Sequence, residues 1–260
     1  MSLPPDDRAA LIARLRAASC VFAEQEATLL LSQAQSPDEL ERMTRLRVSG
    51  TPLEHVLGWA EFDGSRVTVT PGVFVPRHRS VFLVELAQER VRPVSRVLDL
   101  CCGTGALGLA LGRRVPGIRI VASDVDPLAV ACAQRNLAAV DGQAHVADLF
   151  AGLPVGTRFD LVLVNAPYVP TEAIALMPPE ARDFEARASL DGGSDGLSLH
   201  RRIAQECGAW LAPGAQLIIE TSRTQAEQSV RAFTEAGMDA RAVQSDERDC
   251  TAVVAWLAVS

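Results

Sequence analysis

The chain has no apolar run near the roughly 20 residues that a helix needs to span a bilayer. Its start, with Asp6 and Asp7 ahead of an amphipathic run, lacks the pattern of a secretory signal. Both absences lead to the expectation of a cytoplasmic protein. Internal repeats and low-complexity tracts are missing too, which excludes a repeat architecture. The six cysteines (Cys20, Cys101, Cys102, Cys132, Cys207, Cys250) show no metal-ligand spacing and the four histidines are scattered, so no metal is expected and the thiols read as buried. Net positive charge is also absent. A formal charge of -7 weighs against wholesale wrapping of nucleic acid and leaves only local basic patches such as Arg42 to Arg47. What is present is an ordinary globular composition, 48% apolar and 22% charged over 260 residues, enough for one full core plus an appendage.

Residues 1–50 read as a helical unit. Leu11, Ile12, Leu15 and Phe22 share a face between Asp7 and about Ala34, and Leu29 to Leu31 continue the apolar content in a second short helix. Ser36-Pro37-Asp38-Glu39 supplies a cap, a proline at the first helical position and an acid three residues after the cap. The helix it starts carries Leu40, Met43 and Leu46 and stops near Gly50, its arginines forming a solvated face. Residues 51–75 read as a linker and β-hairpin, from the alternation Arg66-Val67-Thr68-Val69-Thr70 and the turn signal Asp63-Gly64.

The remaining segment, 76–260, opens with a helix from about Ser80 to Arg90. Strands are then expected at Arg96–Leu100, Arg119–Ser123, Ala144–Val146, Leu161–Val164 and Gln216–Glu220. Helices are expected at Ala106–Arg114, Pro127–Ala138, Leu197–Leu211 and Thr224–Ala236, an alternation that predicts an α/β fold with parallel βαβ units. Ala240–Val243 and Thr251–Ala258 have no helix between them, so the last strand is expected to run antiparallel in a seven-stranded sheet.

Polar residues sit where these strands end. Asp99-Leu100-Cys101-Cys102-Gly103-Thr104-Gly105 runs from a strand through a tight turn into a helix, and its glycines let backbone approach a ligand. The glycines are too few for the dinucleotide fingerprint. Asp124 follows the second strand, where an acceptor-only carboxylate suits the hydroxyls of a ribose. Asp126-Pro127 beside it reads as a helix start. Asp148-Leu149-Phe150 follows the third strand. The fourth runs into Asn165-Ala166-Pro167-Tyr168, where Pro167 fixes its own φ and holds Ala166 extended. Open α/β sheets place ligands beyond the carboxyl ends of their strands, and an amide held there beside a backbone carbonyl suits recognition of an NH2 group. A plain strand-ending turn is the structural alternative.

The strand pattern and the Asp99–Gly105 turn resemble the class I S-adenosylmethionine-dependent methyltransferases, with their Rossmann-like sheet. The resemblance implies that Asp99, Cys101, Gly103 and Gly105 hold the methionine part of S-adenosyl-L-methionine, Asp124 its ribose, and Asp148, Leu149 and Phe150 its adenine. Cys101 stands where the commonest first glycine of that motif would be. Asn165-Ala166-Pro167-Tyr168 resembles the Asn-Pro-Pro-Tyr motif of enzymes that methylate planar NH2 groups: adenine, the guanine amine and the glutamine side-chain amide. By that resemblance Asn165, next to the cofactor, and the Ala166 carbonyl accept the two N–H bonds and aim the lone pair at the methyl. Tyr168 stacks on the planar group, and Ala166 in place of a proline keeps the carbonyl.

Thr51–Gly58, Glu61-Phe62, Pro71–Arg77, Ser189–Leu197, Leu211–Gly214 and Leu217–Glu220 further resemble the protein N(5)-glutamine methyltransferases that modify peptide-chain release factors. That family's N-terminal helical domain docks its protein substrate, which implies the same for residues 1–50, and it releases S-adenosyl-L-homocysteine. Its Pro-Glu-Thr-Glu after Pro-Arg is His78-Arg79-Ser80-Val81 here. Two other classes stay open. One is a nucleic-acid amino methyltransferase that flips its base into the pocket. The other is a cofactor-binding protein without catalysis, suggested by Cys101, Ala166 and the altered loop.

Overall fold

The computed structural model describes residues 5–257, so the expected Ala258 end of the last strand lies outside the described residues. Helices α1 (Pro5–Ala17), α2 (Ala23–Gln33), α3 (Pro37–Val48) and α4 (Leu53–Leu57) enclose a small core around Leu11, Leu15, Ala27, Leu30, Met43 and Val56. The start of α3 follows from its sequence: Ser36 Oγ accepts from the Glu39 N–H at 3.1 Å, and Glu39 reaches back to the Gln35 N–H at 2.8 Å. At its other end Arg47 is buried, pairs with Glu26 at 2.6 Å and bridges to Glu180 at 2.7 Å, which ties the helical cluster to the rest of the chain.

Strands β1 (Trp59–Phe62) and β2 (Ser65–Thr68) form the hairpin expected from Asp63-Gly64, whose φ angles of 52° and 69° are the left-handed pair a two-residue turn requires. The Asn136 side chain fastens this hairpin. It accepts from the Thr68 N–H and donates to the Thr68 and Thr104 carbonyls, each at 2.9 Å.

After a 3-10 turn at His78–Ser80 and helix α5 (Val81–Gln88), the main sheet is built from β3 (Arg96–Leu100), β4 (Arg119–Asp124), β5 (Gln143–Val146), β6 (Phe159–Val164), β7 (Leu211–Thr221), β8 (Met238–Ser245) and β9 (Cys250–Leu257). Helices α6 (Ala106–Arg114), α7 (Pro127–Leu137), α8 (Pro179–Phe184), α9 (Ser198–Cys207) and α10 (Ala226–Glu235) connect them. The order is β5-β4-β3-β6-β7-β9-β8, with β9 antiparallel to both neighbours, as the helix-free end of the sequence predicts. Both faces are covered. Val97, Leu161 and Leu163 point into one core, and Leu98, Leu100, Val162 and Val164 into the other, so these strands read as continuous apolar runs. No helix among the described residues is long and apolar enough to cross a membrane.

Several boundaries differ from the sequence expectation. The helix expected over Leu197–Leu211 ends at Cys207, and β7 begins at Leu211 rather than Gln216. A bulge in β7 between the pairs Phe159–Leu211 and Leu161–Gln216 absorbs Pro213 and Gly214, residue types that ordinarily interrupt a strand. The 3-10 segment Thr171–Leu176 and helix α8 carry too little apolar periodicity to be read from sequence. The chain crosses from the β3-β4-β5 half to the β6-β7 half beside β3, so the carboxyl ends of β3, β4 and β6 meet in one crevice.

Candidate active site

That crevice is a cleft of about 330 Å³ bordered by strand ends and by the segment 72–80. Asp99 lies at its base, 1% exposed; Oδ2 accepts from the Gly108 N–H at 2.9 Å, and the buried Oδ1 has no partner among the described residues. Burial pushes its pKa up to about 7, against the lowering effect of the Gly108 bond. The turn that follows holds Cys101 at φ 57° and Gly103 at φ 53°. A non-glycine residue in this region carries strain of about 1 kcal/mol, and such strain collects at ligand sites.

The Asp124 carboxylate is half-buried and engaged by backbone, accepting from the Gly103 N–H at 2.9 Å and the Asp126 N–H at 3.0 Å. Burial raises its pKa, and those N–H groups oppose the rise. Asp148 also borders the cleft, with its carboxylate accepting from Arg202 at 3.1 Å. Leu149 lines the wall at φ 54°.

Two expected site residues do not line the cleft. Phe150 is buried and stacks on Trp210 with ring centroids 5.7 Å apart, so it supports Leu149 from behind. Gly105, at φ 72°, instead permits close packing: a β-carbon there would lie 3.1 Å from the Ala133 Cβ on α7. Both point to the core side of their turns, a distinction that sequence order does not carry.

Asn165, Ala166, Pro167 and Tyr168 all line the same cleft, at the end of the neighbouring strand β6. Asn165 Nδ2 donates to Ser80 Oγ at 3.2 Å, and the Ser80 hydroxyl donates to Glu220 Oε2 at 2.5 Å. Glu220, buried at the end of β7, also takes the Tyr168 hydroxyl at 3.0 Å and Arg79 Nε at 3.0 Å. Arg79 completes the ring by donating to the Tyr168 oxygen at 2.8 Å. Burial, followed by the nearby Glu220 charge, raises the Tyr168 pKa and keeps its proton on. The loop from Asp191 to Gly196 clamps the turn from outside. The Gly192 N–H donates to the Val169 carbonyl at 2.8 Å, Thr171 Oγ1 to Asp191 at 2.7 Å, and Gln225 Nε2 to the Tyr168 carbonyl at 3.0 Å.

Ser80, Arg79 and Glu220 are site residues that the strand-end reading missed. Glu220 had the same signal as the three aspartates, an acid closing a buried strand.

The family model described as the methyltransferase small domain matches residues 65–181. The release factor glutamine methyltransferase of Geobacter sulfurreducens is 38% identical over 211 residues, covering 78% of this chain and 72% of that protein. The chain belongs to the release factor glutamine methyltransferase family. A second member of this family, from Mycolicibacterium smegmatis, is 36% identical over 201 residues, covering 76% of this chain and 71% of that protein. Among solved structures, the T. thermophilus 16S rRNA N2 G1207 methyltransferase in complex with AdoMet and guanosine superposes with a TM-score of 0.56 at 22% identity, covering 77% of this chain and 50% of that chain. That likeness establishes the shared fold. Membership of the release factor glutamine methyltransferase family makes the chain an S-adenosylmethionine-dependent methyltransferase.

Proposed function

We propose that this protein methylates the side-chain amide nitrogen of a glutamine in a peptide-chain release factor, with the cleft residues in the following roles. The carrying observation is the Asn165 amide, whose NH2 end is occupied by Ser80 at 3.2 Å while no donor among the described residues reaches its oxygen. Such an oxygen at a strand end is an acceptor for an incoming N–H. S-Adenosylmethionine fits the β3 end of the cleft because Asp99 Oδ1, buried and unpartnered, calls for a donor such as an ammonium group. Asp99 and the Cys101–Gly103 turn would hold its methionine part, Asp124 its ribose hydroxyls, and Asp148 and Leu149 its adenine. When bound, it supplies a methyl group activated by a sulfonium.

The rest of the work falls to this chain's own residues. An amide nitrogen is a weak nucleophile because its lone pair is delocalised into the carbonyl. Asn165 Oδ1 and the Ala166 carbonyl accept its two N–H bonds, fixing the amide plane so that the lone pair faces the methyl in line. The Tyr168 ring, its hydroxyl fixed by Arg79 and Glu220, offers a face for the planar amide. The helical cluster at the N-terminal end, joined to α8 through Arg47 and Glu180, is the proposed docking unit for the protein substrate. A release-factor substrate puts the enzyme at work in the cytoplasm.

Asn165→Ala tests the assignment. Cofactor affinity by calorimetry should stay within about twofold, while the single-turnover rate falls by about 10²- to 10³-fold, the range for removing one pre-aimed polar group. Weak cofactor binding with a normal rate per bound cofactor would overturn it.

A further inference from the structure

The two ends of an asparagine amide are nearly equal in shape and opposite in hydrogen bonding, so which end meets the acceptor decides whether the site attracts or repels an NH2 group. The bonds behind Asn165 determine that choice. The Glu220 carboxylate, paired with Arg79 at 3.0 Å, only accepts. The Ser80 hydrogen must therefore point at Glu220 Oε2, 2.5 Å away, which leaves the Ser80 oxygen as an acceptor. Only the NH2 end of Asn165 can satisfy it, at 3.2 Å, and the amide oxygen is left on the cleft side.

We propose that Ser80, anchored by Glu220, is the positioning residue that sets Asn165 with its oxygen toward the acceptor nitrogen. This rests on the reading of the turn as an NH2-binding site. Without the hydroxyl the amide has no reason to prefer one orientation, and the flipped form presents NH2 to NH2. Threonine at this position supplies the same hydroxyl. Glu220 reaches across 140 residues of sequence to hold Ser80, so the relay couples the end of β7 to the start of α5 and, through it, to the end of β6.

The sequence offers a clean readout, since the chain contains two asparagines, Asn136 and Asn165. Labelling asparagine alone with heavy nitrogen gives two side-chain NH2 resonance pairs. Asn136, bonded to two backbone carbonyls at 2.9 Å, serves as the internal reference for an intact fold. In the wild type and in Ser80→Thr, with S-adenosylhomocysteine present, the Asn165 pair should exchange slowly with water. In Ser80→Ala it should exchange at least about tenfold faster while Asn136 is unchanged. In parallel, Ser80→Ala should lower kcat by about 10- to 100-fold at unchanged cofactor affinity, with Ser80→Thr within about threefold of wild type. An Asn165 resonance that ignores the loss of the hydroxyl overturns the positioning role, whatever the substrate. A resonance that responds, in a protein that methylates no glutamine, supports the orientation and overturns the substrate reading instead.

Discussion

At the scale of the residue, Asp99 has the most to gain from a ligand. Its pKa of about 7 in the free protein comes from burial, with one oxygen bonded to Gly108 and the other unpartnered. The native state therefore holds a proton that the unfolded chain releases, and this group's contribution lowers stability as pH rises from about 4 toward about 7. A ligand ammonium needs the ionised carboxylate. Affinity for S-adenosylhomocysteine should weaken as pH falls below about 7, by up to about tenfold per unit, and binding near that pH should release a proton. Calorimetry in buffers of different ionisation enthalpy reads both effects. A flat affinity between about pH 6 and pH 8, with no proton release, would remove Asp99 from the cofactor site.

The sequence made Asp99, Asp124, Asp148 and Asn165 legible because each closes or follows a buried strand, and an open α/β sheet sends those ends to one crevice. It could not separate Leu149, in the wall, from Phe150, stacked on Trp210 behind it, because the left-handed φ of 54° at Leu149 turns successive side chains in ways that order alone does not specify. Glu220 carried the same strand-end signal, but its bond to Ser80 joins segments far apart in the chain, and no local pattern marks Ser80 as its partner.

At the scale of the element, strand existence and order followed from apolar runs and helix alternation, whereas boundaries moved where packing overrode local signals, as in β7 across Pro213 and Gly214. The clamp from Asp191 to Gly196 shows what a glycine-rich segment contributes when it is ordered by its surroundings. Gly196 sits at φ 77°, and a β-carbon there would collide with the Tyr168 carbonyl and the Gln225 amide. Gly196→Ala should therefore cost about 2 to 4 kcal/mol, combining left-handed strain with overpacking, and should lower turnover by displacing the acceptor turn. Denaturant unfolding measures the first effect. A variant as stable as wild type would mean that the loop yields and is no clamp.

At the scale of the whole molecule, charge is organised by arginine. All 25 basic residues are arginines, and several join distant segments: Arg47 to Glu180, Arg77 to Glu185, Arg79 to Glu220, Arg114 to Asp63 and Arg248 to Glu85. The planar fork suits such two-point pairing with carboxylates. Cations used this way are not available for phosphates, and the formal charge of -7 adds to the mismatch with a nucleic-acid substrate. The direct measurement is to incubate the protein with labelled S-adenosylmethionine, a purified release factor and ribosomal RNA in one vessel, then map the label by mass spectrometry. Glutamine methylation predicts label on one side-chain amide nitrogen of the release factor, lost when that glutamine is replaced, with little dependence on salt. Label in the RNA, with the steep salt dependence of phosphate contacts, would contradict it.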